Sequence, residues 1–150
     1  MTSVEIRRAV RADIPAIVEM LADDEIGATR ESPDDLAPYQ AAFTALEKDP
    51  NQYFMVAVSG DAIVGTFQLT LIPGLSRRGA TRSVIEAVRV HRSARRAGIG
   101  EQMISWAVAE SGRQGCSLVQ LTSDKARPDA HRFYERLGFV PSHIGFKLQI

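Results

Sequence analysis

Two arginines and two glycines, Arg95-Arg96-Ala97-Gly98-Ile99-Gly100, follow closely on a β-branched run, Val88-Arg89-Val90. Glycine in a helix interior costs about 1 kcal/mol relative to alanine. A helix that opens on Gly98 and Gly100 therefore serves something other than its own stability. Backbone without side chains lets several N–H groups at a helix start face one anion. The helix dipole adds positive potential there, and Arg95 and Arg96 bring formal charge. Together these features suit a pyrophosphate. The pattern is not a dinucleotide fingerprint, which needs Gly-x-Gly-x-x-Gly opening the first βαβ unit, nor a P-loop, which needs Gly-Lys-Ser/Thr. A glycine pair by itself is equally a flexible turn between solvated arginines, so the surrounding elements have to decide.

The elements that must position this segment read as follows. Val4 to Val10 is a short strand, and Asp13 caps a helix whose first turn holds Pro15 and whose apolar face carries Ile14, Ile17, Val18 and Leu21. A polar, acidic connection from Asp23 to Glu31 precedes Ser32-Pro33-Asp34-Asp35, the cap and first turn of a second helix reaching about Lys48. Tyr53 to Val58 and Ala62 to Ile72 are β-rich runs joined by Ser59-Gly60-Asp61, which predicts an antiparallel hairpin. After an Arg/Gly loop, Val84 to Val90 is a strand, and Gly98 to about Ser111 a helix closed by Gly112. Cys116 to Thr122 is the next strand. Pro128 to Leu137 is a helix with Pro at its start and Gly138 at its end, and Phe139 to Leu148 reads as a closing pair of strands.

With 150 residues, the chain is expected to form one domain over 1–150 with its own hydrophobic core. Hydrophobic residues make up 45% and charged residues 24%, with 18 basic against 18 acidic side chains, which is the composition of a globular protein and gives no global pull toward nucleic acid. Seven arginines fall between Arg77 and Arg96, but no aromatic residues interleave them. The single cysteine, Cys116, has no internal disulfide partner, and no Cys/His cluster has zinc spacing, so no metal is expected. No apolar run has the length of a signal or a membrane span, and a cytoplasmic protein is the default expectation.

The pattern Arg-x-x-Gly-x-Gly after a β-branched strand resembles the acetyl-CoA signature of the GNAT acetyltransferase superfamily. A second string, Ala130-His131-Arg132-Phe133-Tyr134-Glu135-Arg136-Leu137-Gly138-Phe139, resembles that family's second motif, and the resemblance extends over nearly the whole chain. It implies a mixed α/β fold: a central, mostly antiparallel, splayed sheet of about six to seven strands flanked by about four helices. It also implies acetyl-CoA as co-substrate. Val88, Arg89 and Val90 would lie along the pantetheine and acetyl group, and Arg95, Arg96, Ala97, Gly98, Ile99 and Gly100 around the pyrophosphate. The Arg89 side chain is also free to face solvent.

Amine attack on a thioester needs a neutral amine, donors for the oxyanion and a proton for the departing thiolate. Tyr134 matches the tyrosine the family uses as that proton donor; a phenol of pKa about 10 is protonated at neutral pH and can give its proton to a thiolate. Tyr134 also fits as a member of an apolar helix face with Phe133 and Leu137. The backbone N–H of Val90 would hold the oxyanion. Glu86 has the side-chain parity of Val88 and Val90 along a regular strand and is the candidate base, directly or through water; pairing with an arginine such as Arg82 is the alternative.

Members of the family often carry an asparagine between the strand and the second-motif helix, where this chain has Ser123-Asp124-Lys125-Ala126-Arg127-Pro128-Asp129. Arg127 or Asp129 is a candidate for that contact. His131 and His143 read as surface or capping residues. The acidic stretch from Asp23 to Asp35 lies where the family builds the acceptor side of the cleft and could steer a cationic amine, or be only a solvated loop. The second motif with Ser142-His143 looks most like bacterial enzymes that acetylate small amines, aminoalkylphosphonates among them. A peptide amine acetyltransferase is a second enzymatic reading, and a non-catalytic acyl-CoA sensor a rival of another class. Phe146 to Ile150 is open between a homodimer interface and core.

Overall fold

The computed structural model describes residues 2–150. Five strands form one sheet in the order β1 (Glu5–Arg8), β2 (Gln52–Ser59), β3 (Ala62–Ile72), β4 (Arg82–Val90), β5 (Leu118–Leu121). β1 through β4 are antiparallel neighbours. β5 alone is parallel to its neighbour, from Arg82↔Leu118 to Ile85↔Leu121. The central hairpin forms as its sequence requires, with Ser59 opposite Ala62 and Gly60 at φ 60 in the two-residue turn.

Helices cover both faces. On one lie α1 (Ile14–Ala22) and α2 (Ala37–Lys48), joined through Ile14, Val18 and Phe43. On the other lies α4 (Ile99–Arg113), whose Ile99, Met103, Ile104 and Ala107 pack on Met55, Phe67, Leu69 and Ile85. Met55, Val56 and Ala57 are consecutive on β2 and all buried, which a strand permits only when both of its faces are covered. A single turn, α3 (Ser76–Gly79), separates β3 from β4, and α5 (Pro128–Arg136) follows β5. No helix among the described residues is long and apolar enough to cross a membrane.

Three local expectations change. Ser32 to Asp35 forms a turn of its own, with Asp35 N–H donating to Ser32 O at 3.0 Å, so α2 begins only at Ala37 and takes Pro38 into its first turn. Asp13 does not cap α1 with its side chain. Its buried carboxylate accepts from Arg7 at 2.7 and 3.1 Å and from the Val10 N–H at 2.8 Å, tying β1 to the start of α1. The closing pair of strands is not formed either. Phe139–Ile150 forms neither helix nor ladder, so the sheet among the described residues has five strands instead of six or seven.

Candidate active site

The signature strand is broken by a bulge. Gln68 pairs with Glu86 and Thr66 with Arg89, so Ala87 and Val88 together stand opposite the single residue Phe67, and Ala87 adopts φ 54. A left-handed alanine costs about 1–2 kcal/mol, which the flanking pairs with β3 must supply. The parallel ladder to β5 ends at Ile85↔Leu121. Beyond it, Val88 to Val90 have β3 on one flank and, among the described residues, no strand on the other. This is the splay that the resemblance implied, and its open backbone can receive an extended ligand as a further strand.

The bulge also corrects the side-chain parity. One added residue reverses the alternation, so Glu86 does not share a face with Val88 and Val90. It pairs with Gln68 on the face that Thr66 and Arg89 occupy, whereas Val88 and Val90 pack toward the α4 side. Glu86 is exposed and forms no ion pair among the described residues, with Arg82 or any other arginine.

Past β4 the chain turns through His91 to Ala94 and enters α4. Arg96 at φ 65 and Gly98 at φ 79 both curl the backbone left-handed, and α4 begins at Ile99. An L residue with a side chain would be strained at Gly98. The N–H groups of Ile99, Gly100 and Glu101, in the first helical turn, have no intrahelical acceptor. A Cβ on Gly100 would lie 3.3 Å from Phe133 Cζ and 3.9 Å from Val90 Cγ2. The helix start thus touches both the signature strand and α5. Arg95 is exposed, with its Nε 3.4 Å from Val90 O and a terminal nitrogen 3.6 Å from Asp23; Arg92 binds the same carboxylate, and Arg96 is exposed beside them. A left-handed loop, first-turn N–H groups without intrahelical acceptors and neighbouring arginines are features that could hold a pyrophosphate.

Tyr134 sits on α5 with its ring 5.1 Å from Phe133 and 5.9 Å from Phe139, edge to face. Burial pushes its phenol pKa above the ordinary value, against the opposing pull of Arg127 and Arg89. The hydroxyl is therefore protonated throughout the neutral range. The sequence placed Tyr134 and the signature strand in separate motifs; the fold joins them through Phe133, Gly100 and Val90.

A charged group that sequence reasoning did not assemble lies beside them. Arg89 is largely buried rather than facing solvent, with its Nε 3.1 Å from Asp24 Oδ2 and a terminal nitrogen donating to Val88 O at 2.9 Å. Burial and the neighbouring cations Arg127 and Arg30 lower its pKa, while Asp24 and Glu31 oppose this. Burial works against ionisation of Asp24, but the Gly27 N–H and the charges of Arg89, Arg127 and Arg30 hold its pKa below the usual carboxylate value. Gly27 is required for this arrangement, because a Cβ there would lie 2.0 Å from Leu21 O. Glu31 accepts from the Tyr39 hydroxyl at 2.8 Å, which ties the acidic loop to α2. The acidic run and the unusual Arg127 were the only sequence signals of this cluster. His131 bonds Asp124 O and His143 bonds Ser142, both at the surface.

The family model described as the acetyltransferase (GNAT) family matches residues 14–139. An aminoalkylphosphonate N-acetyltransferase of Salmonella typhimurium (strain LT2) is 28% identical over 149 residues, 97% of this chain and 91% of that protein. A crystal structure described as a transcriptional regulator from Bacillus halodurans C-125 is 45% identical, with a TM-score of 0.96 over 99% of this chain and 100% of that one. A Trypanosoma brucei acetyltransferase is 26% identical, with a TM-score of 0.81 over 99% and 100% of the two chains. The chain therefore belongs to the GNAT family of acetyltransferases, with acetyl-CoA as co-substrate.

Proposed function

We propose that the protein transfers the acetyl group of acetyl-CoA directly to the primary amine of a small molecule that also carries an anionic group, an aminoalkylphosphonate or a compound of that class. The observation that carries this reading is the ion pair of Arg89 with Asp24, in a mixed-charge group where the charges of Arg127 and Arg89 are felt at the Tyr134 phenol and those of Asp24 and Glu31 at Arg89. Arginines suit a phosphonate and carboxylates suit an ammonium group. A zwitterionic acceptor is served by both. The named activity of the Salmonella relative supports the same class.

In this reading Val88, Arg89 and Val90 bind the pantetheine arm through their backbone, and Arg95 to Gly100 the pyrophosphate. The neutral amine attacks the thioester carbonyl while the Val90 N–H donates to the oxyanion. The carbon–sulfur bond breaks, and the leaving thiolate takes the proton that Tyr134 holds. Glu86, on the same face as Arg89, removes the amine proton through water.

Comparing kcat/KM for aminoalkylphosphonates, polyamines, aminosugars and lysine peptides tests the acceptor class. The highest value is expected for the phosphonates; a best substrate without an anionic group would overturn this part. The 45% identical relative described as a transcriptional regulator supports a second reading, a non-catalytic acyl-CoA sensor. Acetyl-CoA binding without turnover of any amine would favour it.

A further inference from the structure

We infer that Gln102 and Thr2 position the cofactor loop, a role that rests on the reading of Arg95 to Gly100 as the pyrophosphate site. Together they strap the segment ahead of β1 to the back of the loop that opens α4, and so aim that loop's N–H groups. Thr2 to Val4 lie outside every ladder, since β1 pairs with β2 only from Glu5 onward. The Gln102 side chain stands in for the missing strand. Its Oε1 accepts the Val4 N–H at 3.3 Å, and its Nε2 donates to Thr2 O. A primary amide carries an acceptor and two donors on one planar group, so it pairs with extended backbone as another peptide would. The same Nε2 lies 3.4 Å from Gly98 O, and the Thr2 N–H donates to Ala97 O at 3.2 Å.

Those last two contacts reach the loop at its most constrained point. Ala97 stands between two left-handed residues, Arg96 at φ 65 and Gly98 at φ 79. In a trans peptide the carbonyl and the following N–H point in opposite directions. Drawing Ala97 O toward Thr2 therefore turns the Gly98 N–H away from the strap. Drawing Gly98 O toward Gln102 does the same for the Ile99 N–H. Neither N–H has a protein acceptor among the described residues, and Ala97 O accepts no other backbone hydrogen bond there. A left-handed arginine is unfavourable by itself, so the loop needs a contact from outside to keep this form.

Packing does not hold the strap. A cavity of about 500 Å³ opens beside it, bounded by Val4, Gln102 and Trp106, and another of about 270 Å³ lies against Thr2, Ala97 and Ile99. With open space on both sides, hydrogen bonds fix its place.

Calorimetry with acetyl-CoA and with S-acetylpantetheine, which has the arm and the thioester but no phosphate, tests this on two variants. Gln102→Leu removes the amide at little cost in helix propensity, and Thr2→Pro removes the one N–H that meets Ala97 O. Each is expected to weaken acetyl-CoA binding about 10-fold and to leave S-acetylpantetheine within about 2-fold of wild type. Combined, they are expected to lose less than the product of the two effects, because both act through one strap. A loss shared equally by the two ligands, losses that multiply, or wild-type affinity for acetyl-CoA would each overturn the positioning role. Gly98→Ala separates that last outcome from a failure of the pyrophosphate reading. If it alone lowers acetyl-CoA affinity, the loop binds phosphate and only the strap is wrong; if all three variants bind as wild type does, both are wrong.

Discussion

Arg89 Nε stands 3.1 Å from Asp24 Oδ2, yet its N–H is not aimed at that oxygen and has no hydrogen-bond partner among the described residues. The guanidinium is thus charge-paired with Asp24 without a hydrogen bond from Nε, and its charge is also felt at the Tyr134 phenol. Arg89→Gln is expected to raise KM for an anionic amine about 10- to 100-fold and leave acetyl-CoA affinity within about 3-fold, since the contacts proposed between the strand and the pantetheine are made by backbone. Steady-state kinetics and calorimetry separate the two. An equal loss of both affinities would contradict a role on the acceptor side.

Gly27 fixes the loop that presents Asp24. Adding one methyl in Gly27→Ala places a carbon 2.0 Å from a backbone carbonyl, which no side-chain rotation relieves. A loss of about 1–3 kcal/mol in urea unfolding is expected, together with a higher KM for the acceptor. Unchanged stability would mean that the loop relaxes freely and does not hold Asp24 against Arg89.

The helix start makes a separate demand. Gly98→Ala forces alanine to φ 79 at a cost of about 1–2 kcal/mol, and the strain falls on the residues proposed to surround the pyrophosphate. Acetyl-CoA affinity is expected to drop about 10-fold or more with the acceptor KM little altered. Isothermal titration reads this directly, and equal affinity in the variant would sever the loop from the cofactor.

Acid stability follows from Arg7 and Asp13. The Arg7 hydrogen bonds lower the pKa of the Asp13 carboxyl, with burial opposing and the Val10 N–H assisting. A folded pKa below the unfolded one means that the pair contributes fully above about pH 4. The contribution disappears as pH falls through the folded value. Asp13→Asn is expected to cost about 1–3 kcal/mol near neutrality, with a shrinking difference from wild type below pH 4. A constant difference across that range would show that the charge is not what matters.

Much of this was legible in the sequence for local reasons. Gly60 between two β-rich runs marks a turn, the Gly98/Gly100 pair marks a backbone that must approach something, and Pro128 with Gly138 brackets α5. What stayed hidden was non-local. Nothing about alanine announces a left-handed bulge at Ala87; the register against Phe67 creates it, and it moves Glu86 to the opposite face from the one simple alternation gives. The meeting of Arg89 with Asp24 joins residues more than sixty positions apart and depends on how α1 leaves the sheet. The closing strands expected over Phe139 to Leu148 are not formed: the alternation in Val140–Ile150 finds no ladder partner among the described residues.

Tyr134 carries the central claim, and thiol release from acetyl-CoA with a saturating aminoalkylphosphonate, in wild type and Tyr134→Phe, tests it most directly. The variant is expected to bind acetyl-CoA normally and lose about 10²- to 10⁴-fold in kcat. The wild type should keep its activity to the alkaline side of an ordinary phenol, because burial raises the Tyr134 pKa. A variant as fast as wild type, or one that loses acetyl-CoA binding along with turnover, would contradict the assignment of Tyr134 as the proton donor.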